Sequence, residues 1–334
     1  MNGRITLAHG DGGEQAHRLI QDVFIAAFGD SSAPMMDAAI QPVSGAKLAV
    51  TTDSFVVQPI FFPGGNIGKL AVAGTVNDLI VSGAEPLYLT CGFILEEGFS
   101  LKELQVIVKS MAEEAAKSNV RIVAGDTKVV ERGACDGIFI NTTGIGVIRE
   151  ERQLHPTAIT EGDSVIVTGT IGDHGVSIIA ARNELGLRTD VLSDCASLTA
   201  MLSDALISTS TIRIMRDPTR GGLATSLVEI AEDFGVTVEL DEEEIPVRPD
   251  VQGACELLGF EPIYLANEGK AVIIVSQSEE MQLLETLRRH PEGANAAVIG
   301  RVTNTTKGQL LLRTVFGSSR RLHRLSGVLL PRIC

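Results

Sequence analysis

Runs rich in β-branched residues alternate with segments of helical spacing along most of this chain, and that alternation restricts it to sheets covered by helices. Leu48 to Val57 predicts a strand with Asp53 inside it, and Asn66 predicts a helix cap. The helix behind that cap carries Ile67, Leu70, Ala71, Gly74 and Asn77-Asp78 until Gly83 and Pro86 stop it. Tyr88 to Leu95 predicts a second strand. A capping box, Ser100 with Glu103, opens a helix whose Leu104, Ile107, Val108, Met111 and Ala115 make one apolar stripe for the core. Strands at Arg121 to Ala124 and Gly137 to Ile148 complete an α+β half. A polar stretch from Arg149 to Asp163, containing Pro156, marks the domain boundary.

Beyond it the alternation resumes, so the expected fold class is α+β with two domains. Ser164 to Thr168, Val236 to Leu240, Ala271 to Val275 and Ala297 to Val302 predict strands. Helices are predicted near Val176 to Leu185 and along Leu223, Leu227, Ile230 and Phe234, the latter closed by Gly235. The expected division is 1–150, 151–316, and a tail from 317 to 334. A length of 334 residues supports two cores, and only 4% aromatics makes them aliphatic.

A net charge of −14 argues against an open nucleic-acid or anionic-membrane surface. It leaves room for phosphate held through a metal, since acidic side chains bind Mg²⁺ and Mg²⁺ binds phosphates. The five cysteines, Cys91, Cys135, Cys195, Cys255 and Cys334, are widely spaced without a CxxC pair and read as reduced thiols. With no apolar run near the ~20 residues of a membrane span and no secretory pattern at the N-terminus, a cytoplasmic address is expected.

Four segments place an acid beside glycine, a loop or an element end: HGDGG at residues 9–13, TTDS at 51–54, VND at 76–78 and GDTK at 125–128. Glycine lets backbone approach phosphate oxygens, and the carboxylates of Asp11, Asp53, Asp78 and Asp126 are hard ligands suited to Mg²⁺. Gly-Asp pairs also make ordinary turns, so the composition leaves both readings open. There is no GxxxxGK[ST] loop, no full dinucleotide fingerprint and no HExxH. The run Gly169, Gly172, Gly175 is off-pattern. In the second half, Asp217-Pro218-Thr219-Arg220-Gly221-Gly222 precedes a helix, where exposed backbone N–H groups suit an anion. Asn267-Glu268-Gly269-Lys270 sits just before a strand, a place from which a carboxylate faces a cleft. The chain ends on Cys334, and the eight residues from Gly327 reach roughly 26 to 29 Å when extended. That reach makes the terminal thiol a candidate chemical handle.

Taken together, these segments resemble the HypE family of hydrogenase maturation factors, within the PurM-like (aminoimidazole ribonucleotide synthetase) superfamily. The resemblance runs over essentially the whole length, through LAHGDGG, TTDSFVVQPIFFPGG, IGKLAVAGTVNDLIVSGAEPLYL, AGDTKVVERG, DPTRGGLAT, ELDEEEIPVR, LANEGK and the terminal PRIC. It implies a homodimer whose N-terminal halves pair into a β-barrel, ATP in a cleft between domains, and a flexible C-terminal tail. It also implies the reaction: HypF loads a carbamoyl group on the terminal cysteine, ATP-dependent dehydration makes a thiocyanate, and a HypC–HypD complex takes the cyano group for the iron of [NiFe] hydrogenase. Carried over by motif, Asp53, Asp78 and Asp126 are implied Mg²⁺ positions. Asp11, Asp53, Lys69, Asn77, Gly125, Thr127 and Asp217 are implied ATP-binding positions, and Cys334, Glu268 and Lys128 are implied at the reaction. Glu268 is the first candidate base, with Lys128 a base or a stabiliser of the phosphorylated oxygen, while Arg332 offsets the α-carboxylate beside the thiol. Asn66 stands where the family often has aspartate, so it is not expected to hold metal, and the basic stretch Arg320 to Arg324 reads as a solvated cluster. Two other activities stay open on the residues alone: a carrier that holds a carbamoyl group for another catalyst, and a small-molecule kinase.

Overall fold

The computed structural model describes residues 13–19, 21–22, 38–43, 46–152, 154–183, 186–304, 306–326 and 330–334. Asp11 lies outside the described residues. The first half runs α1 (Glu14–Leu19), β1 (Ala39–Val43), β2 (Ala46–Phe55), a small hairpin of β3 (Phe61–Phe62) and β4 (Gly65–Asn66), α2 (Ile67–Val81), β5 (Glu85–Glu96), α3 (Leu101–Lys117), β6 (Arg121–Val130) and β7 (Ile138–Ile148). The second runs β8 (Ser164–Val167), α4 (Asp173–Arg182), α5 (Thr199–Ser208), β9 (Ile212–Arg216), α6 (Gly222–Phe234), β10 (Thr237–Asp241), α7 (Pro249–Leu258), β11 (Val272–Val275), α8 (Glu280–Leu287), β12 (Ala297–Asn304), β13 (Gln309–Arg313) and β14 (Ser319–Leu322).

The first sheet has the order β1-β2-β7-β5-β6, antiparallel except for β5 and β6, whose parallel pairing α3 makes by crossing over. Among the described residues it stays open, ending on β6, which is exposed at every position but its last. One chain therefore supplies an open sheet, and the implied barrel would need the paired half of a second copy. Helix α2 packs on this sheet and is buried almost all round, because its far side meets the second domain: Ile80 and Val81 join a core with Leu198, Leu202 and Met215. Asn66 caps α2 as expected, its Oδ1 accepting from the Gly68 and Lys69 amides at 2.9 and 3.2 Å. Ser100 likewise caps α3. On α3 the stripe is narrower than expected: Ile107, Met111 and Ala115, four residues apart, are buried, whereas Val108 is turned about 100° from Ile107 and is 45% exposed. Glu114 is buried instead.

The second sheet has the order β14-β13-β10-β12-β8-β11-β9. Strands β8 and β11 are buried at all four positions. Their side chains divide by parity, Val165, Val167, Val272 and Ile274 facing α6 while Ile166, Ile273 and Val275 face α5 and α8. Each such aliphatic side chain contributes about 1.5–3 kcal/mol through burial. Helix α4 begins three residues before the predicted start and ends at Asn183, which takes φ +54°, in place of Leu185. Ser319–Leu322, assigned to the tail by sequence, pair with β13 as the sheet's edge. Arg320, Arg321 and His323 are exposed as expected of a solvated cluster, whereas Arg324 is only 8% exposed and paired with Glu232 at 2.8 Å.

Candidate active site around the terminal cysteine

The end of the chain folds back onto the seam between the domains. Ile333 is buried in the core of the first half among Phe55, Val57 and Ile67, and Cys334 packs against the same cluster. The Val56 amide donates to a Cys334 carboxylate oxygen at 3.1 Å, and the Gln58 amide to the Arg332 carbonyl at 3.2 Å. Arg332 points away from the terminal carboxylate. Its guanidinium donates to the Val56 carbonyl at 2.9 Å, pairs with Asp136 and lies over the Phe139 ring. The charge expected to favour the thiolate is thus spent elsewhere.

The cation facing Cys334 is Arg220, on the loop between β9 and α6. Burial pushes the Cys334 thiol up to about 12, Arg220 opposes that shift, and the carboxyls of Glu268, Asp53 and Asp217 add to it. Cys334, Glu268, Asp53, Asp217 and Arg220 are therefore within electrostatic reach of one another, although they come from four separate stretches of chain.

Glu268 is 4% exposed, and its Oε1 is buried without a hydrogen-bond partner. Burial first, then the neighbouring Asp217 and Asp194, raise its pKa well above the ordinary carboxyl value, against the pull of Arg220. Its backbone is held rigidly. The amides of Glu268 and Gly269 donate to the two carboxylate oxygens of Asp194 at 3.0 and 3.2 Å, and Lys270 Nζ lies 3.4 Å from the same carboxylate. A Cβ at position 269 would stand 1.9 Å from the Asp194 carbonyl oxygen, so only glycine fits there. Asn267 completes the frame by accepting from the Gly172 amide at 2.8 Å and donating to the Pro218 carbonyl at 2.9 Å, which joins the glycine turn before α4 to the Asp217 loop.

Asp53 and Asp78 sit side by side. Burial raises the Asp53 pKa, while its side-chain hydrogen bond with Asp78 and the charge of Arg220 oppose the rise. A hydrogen bond between two carboxyls needs a proton between them. Thr51 Oγ1 donates to Asp78 Oδ2 at 2.7 Å and holds the pair in place.

Asp126 does not join them. The pairing register runs from Asp126 to Gly92, to Asn141, to Ser54 across four strands, so Asp126 shares the face of Ser54 while Asp53 points to the other. Asp126 and Lys128 form an exposed ion pair at 2.7 Å, 68% and 70% exposed, and Lys128 holds the Asp126 carboxyl below its ordinary range. Gly125 and Thr127 lie on the same exposed strand. Among the described residues, no three His, Cys, Asp or Glu side chains are arranged to hold a metal. Lys69 Nζ donates to the Gly64 carbonyl at 3.1 Å. Asn77 is buried and used for domain contact, donating to the Ala196 carbonyl at 3.0 Å and accepting from the Leu198 amide at 2.8 Å. Asp194, His174 and Arg182 were missed by sequence reasoning. Their work is on backbone groups of distant segments, which leaves no local spacing to find. A cavity of about 680 Å³ lined by Val247, Phe260, Leu312 and Phe316 holds none of these groups.

The two halves match the AIR synthase related protein N-terminal domain over residues 35–148 and its C-terminal domain over 160–313. The carbamoyl dehydratase HypE of Rhodobacter capsulatus is 49% identical, covering 99% of this chain and 98% of that protein. The crystal structure of a HypE–HypF complex superposes with a TM-score of 0.86 at 46% identity, covering 92% of this chain and 99% of that one. That of the hydrogenase maturation protein HypE in complex with ATP gives 0.83 at 44% identity, covering 99% and 100%. On its two matched domains and its near full-length identity to such relatives, the chain belongs to the HypE family of AIR synthase related proteins.

Proposed function

We propose that this chain is an ATP-dependent dehydratase acting on a carbamoyl group carried by its own terminal cysteine, in hydrogenase maturation. The observation that carries the reading is the burial of the chain's end on the first-half core, where the charges of Arg220, Glu268, Asp53 and Asp217 act on the Cys334 thiol. Relatives named carbamoyl dehydratase and a HypE structure with ATP support it. The S-carbamoyl group, S–C(=O)–NH₂, loses its oxygen and both nitrogen protons to become S–C≡N, and ATP becomes ADP and phosphate. An amide oxygen is a poor leaving group, and phosphorylation turns it into one.

Glu268 suits the base. In its ionised form a carboxylate of raised pKa is a stronger base, and its buried, unpartnered Oε1 is free to take a proton from nitrogen. Arg220 is placed to offset negative charge developing on the phosphorylated oxygen. The Asp53–Asp78 pair fits a divalent cation by its donor set, two hard carboxyls hydrogen-bonded to each other. Mg²⁺ held there supplies charge neutralisation for the phosphates. Asp217 and Lys69 are proposed as ATP-binding positions near it. Gly125, Asp126, Thr127 and Lys128 take part through a second copy: β6 is an uncovered edge with Ile122, Val123 and Val129 exposed, and pairing with another protomer covers it and closes the sheets into a barrel. The homodimer is accordingly proposed there. HypF is the proposed carbamoyl donor, as a HypE–HypF complex exists for a relative, and a HypC–HypD complex the proposed acceptor. The cytoplasm is the proposed compartment. Among the described residues no helix is long and apolar enough to cross a membrane.

Carbamoylated protein incubated with Mg-ATP should lose the mass of one water at Cys334 and release one phosphate per chain. An unchanged mass would leave a carrier, and phosphate turnover by Cys334→Ser would indicate a small-molecule kinase.

A further inference from the structure

The three carbonyls and the carboxylate of the terminal tetrapeptide are all met by donors. The Arg182 guanidinium donates to those of Pro331 and Arg332 at 2.6 and 2.8 Å, and His174 Nε2 donates to that of Ile333 at 2.8 Å. The Val56 amide takes the Cys334 carboxylate, and the Gln58 amide adds a second donor to Arg332. His174 and Arg182 stand eight residues apart on α4, about 12 Å along its axis. The tail therefore enters at the C-terminal end of α4 and runs toward its N-terminus.

The donors are themselves fixed. The Ile333 oxygen only accepts, so His174 carries its proton on Nε2, and Nδ1 accepts from the Ser193 hydroxyl at 2.8 Å. Ser193 Oγ in turn accepts from the Cys195 amide at 3.1 Å. The Phe62 ring meets the imidazole edge-on. Arg182 Nε donates to the Gln58 carbonyl at 2.8 Å, which ties the clamp to the strand-like segment on the tail's other side.

We propose that His174 and Arg182 are positioning residues: a main-chain clamp on α4 that seats the last four residues, sets their register and delivers Cys334 to Glu268. Hydrogen bonds to carbonyls hold whatever group the sulfur carries, and they release without breaking a covalent bond. The role in catalysis rests on the dehydratase reading; the clamp does not, and its test needs no reaction.

The rate of Cys334 alkylation in the full-length, unmodified protein, followed by peptide mass mapping, reports how often the tail leaves. Arg182→Ala and His174→Met should raise it at least tenfold, while His174→Gln, which keeps a donor in place, should stay within about twofold of wild type. The four buried cysteines should remain unreacted, however far the lost hydrogen bonds lower Tm. Equal rates in all variants would overturn the proposal, as would all five cysteines reacting faster together, which marks general loosening. Loss of the clamp with intact water loss from Cys334 would leave the dehydratase reading standing, and the converse would leave the clamp.

Discussion

Glu268 carries a conflict that decides its use. Buried beside Asp217 and Asp194, it favours its protonated form far more than an exposed glutamate does. The stability this group supplies is fully present below about 4.5, its ordinary value, and is lost as pH rises through the raised value in the fold. Glu268→Gln should remove that loss, so its Tm should exceed that of wild type at pH 8 and match it at pH 4, as measured by calorimetry. The same variant should lower dehydration on the order of 10²-fold or more while ATP affinity holds, because a neutral amide takes no proton. An active Glu268→Gln enzyme would move the base elsewhere.

Among the elements, β6 stands out as a ten-residue edge with both faces uncovered. Sheets rarely leave such an edge open, since its N–H and C=O groups template further pairing. Val123→Lys combined with Val129→Lys should give a monomer by light scattering, with the second domain's stability unchanged. Helices α2 and α4 have the opposite character. Asn77 on α2 and His174 on α4 are buried and serve specific partners, while Asp78 and Arg182 are half-buried at the same seam.

At the scale of the whole molecule, the site exists because the domains are locked at one angle. Asn77 bonds the Ala196–Leu198 segment in both directions, and Glu114 on α3 accepts from the Ser197 amide at 2.9 Å. Asn77→Ala leaves a buried carbonyl and a buried amide unsatisfied and should cost about 2–4 kcal/mol in urea unfolding. It should also weaken any function that needs Asp53 and Glu268 together, even with each domain folded.

The strand of Asp53, the helix of Asp78 and the strand just after Glu268 were legible in the sequence, because hydrophobic periodicity and caps are local; the loop of Asp217 was found by its own motif, while β9 leading into it was not read as a strand. The terminal cysteine was legible as a handle by its position alone. Face and distance were not. Whether Asp126 joins Asp53 depends on pairing register across four strands, and whether Arg332 serves the thiol depends on where Asp136 and Phe139 lie. Periodicity determined the long strands and helices of the first half and several of the second, but not β9, α5, α7, α8 or β13. Only the tertiary structure decided that Asp53, Glu268, Arg220 and the last thiol share one low-dielectric seam, since that requires four distant segments to meet and exclude water together.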